Sequence, residues 1–252
     1  MGNQFIFQMW WPFRQELISN HKFYVEQAQK RLLSQFEDIS GEADQFAQEW
    51  LSKADQWFDP ERHDSDEFQE RAYYESIAFY GLLTDMHDQT RLSVIAGMYH
   101  EWDKQLRDWL SLEIRRSFPG EETRSAIWKA SFPNIFDILE CFDWKVRAQP
   151  YFAQLDVCRL VINVHKHGLG DSLSDLKNDH PQFLEDVFRE SEKSVWDHCL
   201  NHTPLKITDA HLTAFSDAII AFWNDIPENA LLTINTHTPK WFSRAIDKDL
   251  SK

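Results

Sequence analysis

Between Pro60 and Pro119 the chain contains no proline, and across that stretch apolar residues recur at helical spacing. A run of this length, free of the residue that blocks helix propagation, leaves little room for anything but α-helix. The pattern holds from about Asp66 to Arg116. Its second part places Leu92, Ile95, Met98, Tyr99, Trp102, Leu106, Trp109 and Leu110 on one face. A single helix of this length would extend about 77 Å at 1.5 Å per residue, whereas a compact globule of this size is roughly 45 Å across. The expectation is therefore a break near Asp88–Thr90, where no apolar residue falls on the stripe. That gives helices near 66–87 and 90–116, the second closed by Arg115 and Arg116 at the negative end of its dipole.

The flanking segments read the same way. Pro12 to about Ile39 is a long amphipathic helix, punctuated by Ser40 and Gly41. Ala43, Phe46, Ala47, Trp50, Leu51, Ala54, Trp57 and Phe58 then form a second stripe that Asp59-Pro60 ends. Phe118 to Pro150 reads as irregular apart from a short helix near 134–143. A short helix SLSDLKND, capped by Asp171 or Ser172, stops before Pro181, and residues 182–203 are ambiguous. Thr208 caps a last helix carrying Leu212, Phe215, Ile219, Phe222 and Ile226, which Pro227 ends. The tail LLTINTHTPKWF suits a short extended segment. With only 7 Gly and 9 Pro, a turn-rich β-fold is excluded. The fold class is all-α, a multi-helix bundle of seven to nine helices. It forms one domain over 1–252, or splits into 1–118 and 119–252 at the irregular stretch.

Charge and cysteine usage narrow the function. The net charge of −15 excludes nonspecific duplex DNA binding. The acids are concentrated early, with 12 acidic against 2 basic residues from Glu37 to Glu70, whereas 104–166 is net +2. Cys141, Cys158 and Cys199 are odd in number and lack metal-ligand spacing, so they read as small core residues of a reducing compartment. The first residues, MGNQFIFQMWWPF, have no basic flank or cleavage site, and Ile6 stands where a myristoylation signal needs Ser or Thr. No segment reaches the roughly 20 apolar residues of a membrane span. Cytoplasmic localisation, with no membrane partner, is the expectation. No Glu-x-x-His pair, GxGxxG, P-loop or GxSxG is present, so neither a metal nor a nucleotide cofactor is expected.

One stretch is too polar for its position. Tyr151 to Gly170, YFAQLDVCRLVINVHKHGLG, reads as a buried helix begun by Pro150 and stopped by Gly168 and Gly170. Arg159, Asn163, Lys166 and His167 lie on one side, at roughly 40°, 20° and 80° from Arg159, and His165 lies about 120° away. A cationic stripe on an apolar helix must be paired or used. Paired, Arg159 would meet Asp137, Glu140 or Asp156, and Asn163 would cap a neighbouring helix. Used, a histidine would move protons while an arginine braced a phosphate, as metal-independent RNA cleavage requires.

The run R-L-V-I-N-V-H-K-H-G resembles the motif of the HEPN superfamily of all-helical domains, in which Arg is followed after four to six residues by His near a helix end. Arg159 and His165 meet that spacing, Asn163 lies between them, and Leu160 stands where many members have Asn. The resemblance covers some ten residues. It implies a homodimer whose motif helices face each other to form one RNA-cleaving site. Such a protein would be a toxin-type or phage-defence effector, with Arg159, Asn163, His165 and His167 catalytic and Lys166 binding RNA phosphate. The other class it implies is a non-catalytic interaction or dimerisation module, a subunit of a defence or regulatory complex with a protein partner.

Overall fold

The computed structural model describes residues 4–116, 120–142, 144–185, 205–233 and 238–251. Within them the protein is all-α, with one small two-stranded sheet. Strand β1 (Gln4–Gln8) pairs antiparallel with β2 (Asn229–Thr233), Gln8 opposite Asn229 and Gln4 opposite Thr233. The extended tail segment thus finds its partner at the other end of the chain. Phe7 and Met9 point inward and are each 1% exposed, while Gln8 and Trp10 point outward, the alternation that a strand imposes.

Helix α1 (Trp11–Arg31) ends earlier than its apolar spacing suggests. The chain tightens into a 3₁₀ turn at Leu33–Phe36, and Asp38, accepting the Gly41 amide, caps α2 (Ile39–Ala54). Ser40 and Gly41 therefore lie in the first turn of α2 instead of separating two helices. The capping carboxylate, a stronger local signal, set the boundary.

The expected break at Asp88–Thr90 does not occur. Helix α3 runs unbroken from Ser65 to Arg115, 51 residues. Polar side chains at that point serve the helix: Arg91 pairs with Asp88 at 2.6 Å, and the Thr90 hydroxyl donates to the Met86 carbonyl at 2.7 Å. The size argument assumed a single compact body, but the contacts divide the chain into two units, Met1–Val25 with Ile95–Lys252, and Glu26–Val94. Both boundaries fall inside helices, α1 and α3, so α3 is not confined to one core.

In the stretch read as irregular apart from a short helix near 134–143, that helix is α5 (Phe132–Glu140), and α4 (Glu121–Lys129) and a 3₁₀ turn at Val146–Ala148 are added to it. Prolines here start helices: Ser131 caps α5 just before Pro133, and Pro150 opens α6 (Pro150–His167). Helix α7 (Asp171–Asp179) follows, capped by neither Asp171 nor Ser172, since Gly170 holds the N-cap position. Helix α8 (Asp209–Asp225) has the Thr208 cap in a capping box with His211, and α9 (Lys240–Leu250) closes the fold. Most of the ambiguous segment, 186–204 with Cys199, lies outside the described residues.

The larger unit has an aromatic core. Trp102, Trp223, Phe136, Phe215, Phe222 and Phe242 are fully buried, and Trp102 meets Phe222 edge-on at 5.2 Å. Several buried polar groups have specific partners. Gln8 donates its amide to Glu113 at 2.9 Å and accepts at its carbonyl from Trp109 Nε1. Arg107 donates to the Ile127 and Ala130 carbonyls at the end of α4 and to Asp103. Asp249 of α9 accepts from the Glu122 and Thr123 amides and the Thr123 hydroxyl, capping α4 from another helix. His21 lies 2.9 Å from Ser216 Oγ, and burial pushes its pKa down to about 4. The smaller unit is a layer of α2 on the first half of α3, with Phe46 stacked on Phe79 and Trp57, just past α2, packed at a tilt on Phe68. Among residues 34–90 only Ala43, Ala54 and Ala72 are fully buried.

Candidate functional site

Helix α6 is buried almost all round. Tyr151, Leu155, Val157, Cys158, Leu160, Val161, Ile162 and Val164 are all buried, and the helix packs against α8 and α7. One unburied side carries Phe152, Asp156, Arg159, Asn163, Lys166 and His167, while Ala153, Gln154 and the half-buried His165 are unburied elsewhere on the helix. The cationic stripe is thus the half-exposed edge of a core helix, which removes most of its desolvation cost.

Each side chain on the stripe has a distinct setting. Arg159 is 23% exposed and engages Asp156 through Nε at 2.8 Å and Nη2 at 2.7 Å. Its guanidinium also lies 5.5 Å from the Phe132 ring centre, over α5. This is the pairing with Asp156 that the sequence admits; Asp137 and Glu140 instead hold Arg147. Beyond it sits Tyr99 of α3, whose phenol burial pushes up, helped by Cys158, Asp103 and Asp156 and opposed by Arg159. Asn163 donates to the Ser172 hydroxyl at 3.2 Å, so it reaches the first turn of α7 without capping it.

The helix end decides which histidine accompanies Arg159. Helix α6 continues through His167, and the Gly168 amide bonds the Val164 carbonyl at 2.8 Å, so there is no unwinding at Val164. Gly168 then turns the chain with φ 68° and ψ −109°, a conformation that side chains with a Cβ strongly resist. His165 consequently stays about 120° round the helix from Arg159. It is half-buried, and that burial lowers its pKa. His167 and Lys166 are exposed in the last turn, where cations complement the helix dipole. Arg159 and His167 are eight positions apart, about 12 Å along the axis, with Asn163 midway between them.

Phe132, Tyr99 and Ser172 are the neighbours that sequence reading did not connect with the motif. Only Ser172 left a trace there, as a helix-start residue two positions after Gly170. A cleft of about 210 Å³ between the end of α3 and the start of α4 is lined by Asp108, Ser111, Arg115, Glu121 and Arg124, with no residue of α6. Among the described residues no three His, Cys, Asp or Glu side chains gather as a metal would require, and neither Cys141 nor Cys158 forms a disulfide. No helix among them is long and apolar enough to cross a membrane. Comparison with known proteins finds no matching family model, no matching curated relative and no matching solved structure. The likeness to HEPN domains therefore rests on Arg159 to Gly168 alone.

Proposed function

We propose that the protein is a metal-independent endoribonuclease of HEPN type, acting as a homodimer in which Arg159 of one copy works with His167 of the other. The observation that carries this reading is the position of Arg159, Asn163, Lys166 and His167 together on one unburied side of α6. Arg159 and His167 are equidistant from Asn163, so two antiparallel stripes crossing at Asn163 set each arginine level with the partner's histidine. A histidine there takes the ribose 2′-hydroxyl proton or protonates the leaving oxygen, and the arginine fork bears the charge of the phosphorane. Lys166 adds positive charge for RNA phosphate, and Asn163, already braced by Ser172, orients the reacting groups. His165, off the stripe, is not assigned a proton-transfer role. The effector role in defence or growth arrest belongs to this same proposal.

A second reading, a non-catalytic interaction module, is favoured by one specific contact. Two of the guanidinium nitrogens of Arg159 are committed to Asp156 in the isolated chain. The test compares RNA cleavage, with chelator present, by wild type, Arg159→Ala, Arg159→Lys, His165→Ala and His167→Ala. The catalytic reading expects His167→Ala to lose about 10²- to 10⁴-fold in rate with its fold intact. It expects Arg159→Lys to fail as well, because an ammonium cannot replace the fork. No cleavage by wild type, together with destabilised Arg159 variants, gives the function to the interaction module.

A further inference from the structure

The smaller unit leaves one face of its long helix uncovered. On α3, Ala72, Phe79 and Leu83 turn toward α2, with Phe79 stacked 4.4 Å from Phe46. On the opposite side Tyr73, Tyr74, Ile77 and Tyr80 are 61%, 60%, 49% and 45% exposed. At 100° per residue these four fall within roughly 120° of one another, along about two turns. Gly81 continues the same face, and a Cβ built there would meet nothing within 4 Å. A shallow depression lined by Glu67, Glu70, Arg71, Tyr74, Glu75 and Ala78 opens beside it. Tyrosine is enriched where proteins meet partners, since its ring contributes contact area at small entropic cost.

Charge says what covers the face. Residues 26–94 carry 16 acidic and 6 basic side chains, net −10 of the chain's −15. The tyrosine face is bounded by Asp66, Glu67 and Glu70 toward the start of α3 and by Asp85 beyond it, all exposed. Arg71 is the one basic residue of α3 between Ser65 and Thr90, and its guanidinium is turned over the Trp50 ring of α2 at 5.7 Å. A second copy would be repelled in either orientation: parallel pairing opposes Glu70 to Glu70, and antiparallel pairing opposes Asp66 and Glu67 to Asp85. Anionic lipid and nucleic acid are repelled by the same field.

We propose that the face formed by Tyr73, Tyr74, Ile77 and Tyr80 docks a basic amphipathic helix of another protein, lysine or arginine flanking an apolar seam. The seam lies along the tyrosines and Ile77, and the flanking cations meet Glu67, Glu70 and Asp85. This site is separate from the α6 stripe and stands whether or not the chain cleaves RNA.

Fluorescence anisotropy on the full-length chain tests it, using as probe a labelled helical peptide of roughly five turns built from leucine and lysine. Two control peptides replace its leucines by serine or its lysines by glutamate. The expected result is binding of the leucine–lysine peptide at least about tenfold tighter than either control, weakening as salt is raised. Tyr73→Ser/Ile77→Ser/Tyr80→Ser should lose that preference, and so should Glu67→Lys/Glu70→Lys/Asp85→Lys, which leaves the apolar residues in place. Equal binding by the serine control, or unchanged binding by the apolar triple variant at unchanged helicity, would overturn the proposal. So would a wild-type dimer in light scattering that the apolar variant abolishes, which would give the face to a second copy.

Discussion

Among the described histidines His21 has the largest effect of pH on stability. Its side chain is 8% exposed, and desolvation moves its pKa from 6.5 to about 4, against the raising effects of the Ser216 hydrogen bond and the Asp217 charge. As pH falls, the unfolded chain binds this proton before the folded one does. The contribution of neutral His21 is therefore complete above pH 6.5 and is lost as pH falls through the folded value. Proton linkage with pKa values of 6.5 and about 4 gives a loss of about 2 kcal/mol between pH 7.5 and pH 5. The assay is urea unfolding, followed by tryptophan fluorescence, of wild type and His21→Gln at both pH values. Glutamine still reaches the Ser216 hydroxyl but does not titrate. Subtraction removes the groups common to both proteins: His165 and His211, whose pKa values burial lowers, and Glu113, whose pKa burial raises so that it acts in the opposite direction. Wild type should lose about 2 kcal/mol more than the variant. Equal losses would refute the argument that burial at the Ser216 contact holds His21 neutral.

Four further substitutions test the packing account. Gly120→Ala should destabilise by about 1–3 kcal/mol in a denaturant titration, since a Cβ there would stand 1.8 Å from Asp249 Cγ. Asp249→Ala, losing a three-bond cap on α4, should cost about 1–2 kcal/mol. Arg107→Lys should lower stability by about 2 kcal/mol, because one ammonium cannot serve Asp103 and the Ile127 and Ala130 carbonyls together. Gly168→Ala should lower the thermal midpoint by a few degrees through its positive φ, while far-UV circular dichroism stays the same.

The helices were legible where one signal sufficed. Thr208 and Pro227 bound α8 from sequence, and Pro150 with Gly168 bound α6, because caps and breakers act locally. The chain was misread where local signals competed or the answer was tertiary. Asp38 outranked Ser40-Gly41 as a boundary. Arg91 and the Thr90 hydroxyl carried α3 through a polar patch that looked like a break. Helix α4 formed in a segment read as irregular, its start capped by Asp249 from α9. The pairing of β1 with β2 joins residues more than 220 positions apart, which no local pattern encodes. At the site, helical arithmetic grouped Arg159, Asn163, Lys166 and His167 correctly. It could not tell that this side would face outward, because burial is set by α7 and α8. Asp156 was legible as a partner because it lies one turn away, whereas Phe132 and Ser172 reach the stripe from other helices.

Subunit complementation tests the α6 site most directly. Arg159→Ala and His167→Ala chains are each assayed for RNA cleavage with chelator present, then co-expressed and assayed together. If Arg159 of one copy works with the partner's His167, each variant alone is inactive. With random pairing about half of the dimers are mixed, and each mixed dimer carries one intact site of two, restoring about a quarter of wild-type activity. Activity that stays at the level of the separate variants, although the mixed dimer forms, would contradict a site shared between copies.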